Sequence, residues 1–136
     1  NRNLFFLYLD GDVIKTEFTY FPFPRIEASV KKNGLEVDSL LDIAVNKVFT
    51  IYQKPRSRDF IDLYFINKKT GWTIGELVAK AKIKFDFHID PLQLGSQFFL
   101  AESVKDYPFM KKDIKHKDWQ DYFIAEAKKL ENKIFE

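Results

Sequence analysis

The tract from residue 39 to residue 66 constrains the fold most, because its apolar residues recur at helical spacing while charged residues interrupt them. At about 100° per residue, Lys47 lies near the middle of an apolar stripe formed by Leu40, Ile43, Ala44, Val48 and Ile51. The next helix is apolar nearly all round, yet it carries Asp59 and Asp62 one turn apart. Burying one unpaired ion costs several kcal/mol, so these groups either pair with one another or line a wet cleft.

Two interpretations of these charges stay open on the residues alone. In the structural interpretation, Lys47 or Arg58 forms a buried salt bridge with Asp59 or Asp62 and locks the two helices together. In the functional interpretation, a lysine and a pair of carboxylates face a cleft and position a phosphorylated substrate, which suits phosphoryl or nucleotidyl transfer. Periodicity does not decide between them.

Capping signals divide the carboxy-terminal part of the chain into five helices. The predicted helices span residues 39–53, 58–68, 73–85, 90–101 and 118–135. A capping signal stands at or just before the start of each predicted helix. The signals are Ser39 with Asp42, Ser57, Thr73 with Glu76, Asp90 before Pro91, and Asp118.

The amino-terminal part reads as a β-hairpin, with strands at residues 4–9 and 13–21 around the turn residues Asp10 and Gly11. The period of two places Glu17 on the polar face of the second strand, and a short strand is predicted at Leu35–Val37. Because a lone hairpin is marginal in water, it must pack on the helices or belong to a larger sheet. We therefore predict one α+β domain, with the hairpin and its connector (1–38) packed on a bundle of about five helices (39–136).

Composition excludes several classes of site. The chain has 136 residues and no cysteine, so it has neither disulfides nor thiolate zinc sites, which favours a cytosolic protein. A net charge of +2 is too small to indicate a nucleic-acid binder by itself. Asp, Lys or Arg interrupts every hydrophobic tract, so no membrane span is predicted.

Three further features have ordinary interpretations. His88 and His116 lack a second ligand at metal spacing, so a zinc site is not predicted. A basic patch with nearby aromatic residues fits either a solvated surface, diluted by four aspartates, or an RNA backbone contact. The patch comprises Lys111, Lys112, Lys115, His116 and Lys117, beside Tyr107, Phe109 and Trp119. Helical spacing in the last helix predicts core packing or, as the alternative, a groove for a partner. The residues concerned are Trp119, Tyr122, Phe123, Ala127, Leu130 and Ile134.

The run DIAVNKVFTIYQKPRSRDFIDLYFI, residues 42–66, resembles the nucleotidyltransferases of the AbiEii/AbiGii toxin family. In that family a helix reading D-I-A-x-x-K precedes a basic turn and the motif R-D-x-x-D-L. Asp42–Ala44 with Lys47 match the first motif, and residues 58–63 match the second. The strand residues Lys15-Thr16-Glu17 and the FPFP run resemble the segment that precedes these motifs, so the likeness covers roughly residues 4–90.

The resemblance implies a nucleotidyltransferase-like fold, of whose mixed sheet the hairpin is a remnant. It also implies transfer of a nucleotidyl group from a nucleoside triphosphate (NTP), with Mg²⁺, to an acceptor that in related toxins is often tRNA. An antitoxin protein would restrain this activity, and phage defence is the implied setting.

Position by position, the resemblance implies catalytic roles for three residues: Lys47 contacts the triphosphate, while Asp59 and Asp62 orient the lysine or serve the acceptor. Glu17 would be a metal-binding carboxylate. Positive charge near the phosphates is implied for Arg58 and for Lys54, which replaces the family's arginine before the turn.

The chain also departs from the family pattern. The family's Gly-Ser/Thr turn and D-x-D metal pair should precede the hairpin, yet the one D-x-D before residue 17 is Asp10-Gly11-Asp12, which reads as a hairpin turn. Two-metal transfer needs several carboxylates, and Glu17 alone would not suffice. We therefore expect the carboxy-terminal portion of a toxin, truncated at its amino end and inactive by itself. The alternative is a non-catalytic module that binds a nucleotide, RNA or an antitoxin on a degenerate fold.

Overall fold

A computed structural model describes residues 2–111 and 113–132. It confirms the predicted α+β class, with an amino-terminal hairpin followed by helices. The strands are β1 (Arg2–Leu9), β2 (Asp12–Thr19), β3 (Val30–Lys32) and β4 (Leu35–Val37). The helices are α1 (Leu40–Gln53), α2 (Ser57–Thr70), α3 (Ile74–Phe85), α4 (Pro91–Phe99) with a 3-10 turn at Leu100–Glu102, and α5 (His116–Asn132).

Three of the five helix starts follow the predicted capping signals. The side chains of Ser39, Thr73 and Asp90 accept hydrogen bonds from backbone N–H groups in the first turns of α1, α3 and α4. Thr73 and Glu76 form a complete capping box.

Two predicted starts and one end are wrong. Ser57 is the first residue of α2 and not its cap, since Arg56 occupies the cap position without a side-chain hydrogen bond. The last helix begins at His116, before Asp118, and its predicted end at residue 135 lies outside the described residues. The α-helical part of α4 ends at Phe99, because the backbone tightens into the 3-10 turn up to residue 102.

Both strand pairs are antiparallel hairpins. β1 and β2 pair as predicted around Asp10 and Gly11, and Leu4 lies opposite Glu17. The predicted strand at Leu35–Val37 pairs with β3, which the sequence reading missed because its two lysines hide the strand pattern. Asn33 and Gly34 join them with positive φ angles of 52° and 80°, as a tight hairpin turn requires.

The β1–β2 hairpin stands apart from the core. None of its residues is buried, although its one face consists largely of Phe5, Leu7, Ile14 and Phe18. It meets the helices at the wall of a cavity near the start of α2, described below. The expected packing of the hairpin on the bundle is therefore confined to that wall.

The core lies among the five helices, with α1 in contact with α2, α3 and α4. An aromatic cluster joins α2 and α4 to α5, since Phe60 stacks on Trp119 at 5.8 Å and Phe123 packs against Phe60 and Phe98. The prediction that Trp119, Phe123 and Ala127 are core residues is confirmed, whereas Ile134 lies outside the described residues. None of the helices described is both long enough and apolar enough to cross a membrane.

A fully buried ion pair links α1 to α3. Lys84 Nζ lies 2.6 Å from Oδ1 of Asp42, and both side chains are sealed from solvent. The carboxylate of Asp42 also accepts hydrogen bonds from the backbone N–H groups of Ile26 and Glu27 and from the hydroxyl of Ser39. Asp42, predicted to help cap α1, therefore also ties the connector, α1 and α3 together.

Replacing Lys84 with methionine should destabilise the protein by about 3–5 kcal/mol, because it leaves the buried carboxylate of Asp42 without its ion partner. Lys82→Met on the exposed side of α3 is the matched control and should change the free energy of unfolding by less than about 0.5 kcal/mol. Urea unfolding followed by circular dichroism measures both. Equal stability of the two variants would show that the pair is dispensable.

Stability should also depend on pH through Asp42. Burial alone raises the pKa of this carboxyl, but hydrogen bonds from Lys84, Ile26, Glu27 and Ser39 outweigh it and lower the pKa from 3.8 to about 2. The resulting stabilisation, about 2 kcal/mol, is complete above the unfolded pKa and is lost as the pH falls from about 4 to about 2.

The double variant Asp42→Asn/Lys84→Met lacks both charges and should lose this part of the pH dependence. The free energy of unfolding of this variant and of the wild type is measured between about pH 2 and about pH 5, in steps of about half a pH unit. The same slope in both proteins would contradict the assignment to Asp42.

Candidate functional site

Lys47 bridges α1 and α2 through two carboxylates. Its Nζ lies 2.8 Å from Oδ1 of Asp59 and 2.6 Å from Oδ2 of Asp62. The two aspartates are one turn apart on α2, so a lysine in the middle of α1 reaches both. The expected approach of these three side chains is observed.

The three side chains differ in exposure, from 3% for Asp59 and 22% for Lys47 to 52% for Asp62. Asp59 is therefore sealed between the helices, whereas Asp62 faces solvent and Lys47 lies between these two environments. An ammonium group has three N–H donors, and the two ion pairs use two of them. The third donor has no partner among the described residues.

Lys47 remains a cation in this setting. Burial alone would lower the pKa of its ammonium group, but the hydrogen bonds and charges of Asp59 and Asp62 outweigh burial and raise the pKa above 10.5. A lysine with a raised pKa is a poor general base at neutral pH. A permanent cation is better suited to holding negative charge than to taking up a proton.

Sequence reasoning missed Arg56. Its Nε donates to Oδ2 of Asp59 at 3.1 Å, so the two oxygens of this buried carboxylate bind Arg56 and Lys47 separately. The signal was present in the basic turn, because an arginine three residues before an aspartate can reach it across a helix start. We refer to Lys47, Arg56, Asp59 and Asp62 as the Lys47 cluster.

A long-range contact fixes the start of α2, which carries part of this cluster. The backbone N–H of Ser57 donates to Oδ1 of Asp106 at 2.9 Å, and its hydroxyl donates to the main-chain oxygen of Asp106 at 2.6 Å. The bond from the Ser57 N–H lowers the pKa of Asp106. Asp106, interpreted from the sequence as a dilution of the basic patch, thus caps α2 from a distant segment.

A cavity of about 550 Å³ separates the β1–β2 hairpin from the start of α2. Its basic lining outnumbers its acidic lining, with Arg2, Lys15, Arg56 and Arg58 against Glu17 and Asp106. Arg56 belongs to both this cationic cavity and the Lys47 cluster. A surface of this charge attracts phosphates.

The predicted site residues fall into two groups and one outlier. Lys47, Asp59 and Asp62 come together in the cluster, while Glu17 and Arg58 line the cationic cavity. Glu17 is thus on the same side as Arg56, not on the far side of the domain. Lys54 is exposed at the end of α1 and is not among the described residues that line the cationic cavity.

The residues described do not form a complete metal site. Within residues 2–111 and 113–132 no group of three or more histidine, cysteine, aspartate or glutamate side chains could hold a metal ion. Glu17 is held by Arg2, whose Nε lies 2.7 Å from Oε1. A metal at Glu17 would have to compete with this ion pair.

The basic patch and the aromatic residues beside it contain both packed and exposed side chains. His116 stacks on Tyr107 at 3.8 Å, and its Nδ1 accepts a hydrogen bond from buried Trp119. Trp119 is therefore not available to an RNA, unlike Phe109, which is exposed. Lys112 of the basic patch lies outside the described residues.

Comparisons with known proteins found a matching family and a related protein. The family described as "Nucleotidyl transferase AbiEii toxin, Type IV TA system" matches residues 6–131. A protein of Aquifex aeolicus (strain VF5), named Uncharacterized protein aq_aa25, is 38% identical over 94 residues, which is 65% of this chain and 45% of that protein. The chain thus spans less than half the length of this curated relative.

No solved structure matches the chain. The family match, in contrast, covers both helices of the Lys47 cluster, the hairpin from residue 6 onward and most of α5. The chain belongs to the AbiEii family of nucleotidyltransferase toxins from type IV toxin–antitoxin systems.

Proposed function

We propose that this chain holds the triphosphate of an NTP in the nucleotidyl-transfer site of a toxin, with Lys47 as the residue that contacts it. The observation that carries the proposal is the position of Lys47, a half-buried cation held by one sealed and one exposed carboxylate. Asp59 and Asp62 position the ammonium group of Lys47, and its remaining N–H donates to a phosphate oxygen of the NTP. This arrangement stabilises the charge that develops during transfer.

Arg56 and Arg58 extend the same role. Both line the cationic cavity, and Arg56 also contacts Asp59, so a triphosphate could bridge the cavity and the Lys47 cluster. Arginine binds phosphate oxygens through two donors at once, which fixes the orientation of the reacting group. Lys54 would add positive charge only at a longer range, since it is exposed outside this cavity.

The proposal also includes a divalent metal ion and an acceptor for the nucleotidyl group. The family implies an NTP and a divalent metal in general terms. Glu17 is our proposed single Mg²⁺ ligand from this chain, and further carboxylates, such as a D-x-D pair, would come from elsewhere in the full-length protein. We therefore propose that residues 1–136 alone are inactive, that tRNA is the acceptor, and that an antitoxin protein restrains the activity.

The second candidate function is binding without catalysis, which would make the chain a binding module. It is favoured by the incomplete set of carboxylates in the described part of the chain. Such a module would bind a nucleotide, an RNA or an antitoxin through the same cationic cavity. Binding of NTP by the full-length protein without any transfer would select this function over the first.

Lys47→Met in the full-length protein should reduce transfer at least about 100-fold, because it removes the cation that offsets developing negative charge. Transfer is measured with NTP labelled in the α-phosphate and total tRNA as acceptor. Arg56 still pairs with the buried carboxylate of Asp59, so the variant should remain folded. Lys69→Met, an exposed change on α2, is the control and should leave transfer unchanged.

Asp62→Asn separates the functional from the purely structural interpretation. Asp62 is half exposed, so neutralising it should alter the free energy of unfolding by less than about 1 kcal/mol. Transfer should still fall about tenfold or more, because the lysine loses one of its two positioning groups. Normal transfer by this variant, together with a large loss of stability in Lys47→Met, would support a salt bridge that only locks the helices.

A further inference from the structure

A second cavity, of about 330 Å³, lies beside α1 and is lined by aromatic rings. This volume falls in the range of about 300–1,000 Å³ that small-molecule sites occupy. The rings come from the segment after β2, from α1 and from the end of α3 and its following residues. They belong to Phe21, Phe23, Phe49, Phe85 and Phe87, and we call this space the aromatic cavity.

The rings offer flat surfaces at its mouth. Phe49 and Phe85 stack in parallel, 4.0 Å apart and 13° from coplanar, and Phe87 and Phe23 stand edge-on to them at 76°. Phe21, Phe23 and Phe87 are exposed, so parts of these rings are open to solvent in the described structure. A planar ligand could stack there in the offset or edge-on geometries that aromatic groups prefer.

Polar side chains of α1 line the same cavity. Asn46, Thr50 and Gln53 follow one another at helical spacing along one stripe of the helix. The Oδ1 atom of Asn46 is buried and has no hydrogen-bond partner among the described residues. Thr50 donates its hydroxyl to the main-chain oxygen of Asn46, which leaves its lone pairs able to accept. Buried polar atoms are normally paired, so the unpaired oxygen of Asn46 is an exception in the wall of this cavity.

We propose that the aromatic cavity binds a nucleobase, an inference that rests on the proposed function of the Lys47 cluster. A base has two π faces for the phenylalanine rings and an edge of donors and acceptors for the carboxamides. An aliphatic ligand would leave the carboxamide of Asn46 unpaired. Asn46 immediately precedes Lys47, so the two face adjacent sides of α1.

The base belongs either to the NTP or to a nucleotide of the acceptor RNA. Both sources present the same chemistry to the cavity, and the phosphate group distinguishes them. Three probes separate the cases: NTPs, inorganic tripolyphosphate without a base, and a single-stranded RNA without a triphosphate. Their affinities for the full-length protein are measured by isothermal titration calorimetry.

Two variants address residues that line the cavity. Asn46→Ala deletes the unpartnered carboxamide, and Phe87→Ala deletes an exposed ring. Gln97→Ala is the matched control, because Gln97 on α4 also has a buried, unpartnered side-chain oxygen and is not among the residues that line the cavity. Thermal unfolding confirms that each variant is folded, and Asn46→Ala, which loses no described hydrogen bond of its side chain, is the more conservative of the two.

Both cavity variants should weaken NTP binding about tenfold and leave tripolyphosphate binding unchanged, while Gln97→Ala changes neither. If the base comes from the acceptor, the same loss appears for the single-stranded RNA and not for the NTPs. Equal binding of NTPs and RNA by the wild type and both cavity variants, or binding of neither probe by the wild type, overturns the proposal.

Lys47→Met separates this inference from the function on which it rests. This variant should weaken NTP and tripolyphosphate alike, because it removes a contact to phosphate. If it binds tripolyphosphate normally while the cavity variants still lose base-dependent affinity, the role of Lys47 fails and the nucleobase site stands.

Discussion

The buried carboxylate of Asp59 sets the arrangement on which the candidate site depends. It lies between α1 and α2 with 3% of its side chain exposed, and a charge in that position needs partners on both of its oxygens. Lys47 supplies one from the middle of α1, and Arg56 supplies the other from the start of α2. These bonds fix how α2 lies against α1, and they place Arg56 at the wall of the cationic cavity. Asp106, which is 49 positions away in the sequence, also binds the start of α2 through the backbone N–H of Ser57.

Two ion pairs of α1 differ in their exposure to solvent. Asp42 and Lys84 are sealed from solvent, and hydrogen bonds from the connector and from Ser39 fill the remaining positions around the carboxylate. At most 1% of either side chain in that pair is exposed. Lys47 keeps one exposed side and pairs with an exposed carboxylate, so it can meet a phosphate without leaving Asp59. Partial burial strengthens such a contact, because the local dielectric is lower than that of water.

Local rules account for what the sequence predicted. The caps at Ser39, Thr73 and Asp90 depend on residues three positions apart, and the pairing of Lys47 with two aspartates follows from helical periodicity and the cost of a lone buried ion. Long-range contacts account for what was missed. Lys84 lies 42 positions from Asp42, and Asp106 lies 49 positions from Ser57. No spacing rule reaches that far. The aromatic cavity was missed for the same reason, since three separate segments build it.

Chemical labelling of lysines tests the central claim, that Lys47 handles a triphosphate and does not merely join two helices. The full-length protein is acetylated briefly with and without saturating NTP and Mg²⁺, and modification of each lysine is measured by mass spectrometry. We expect NTP to protect Lys47 strongly, whereas exposed Lys69 on α2 reacts at the same rate in both conditions. Modification of Lys47 at an unchanged rate under saturating NTP would contradict it.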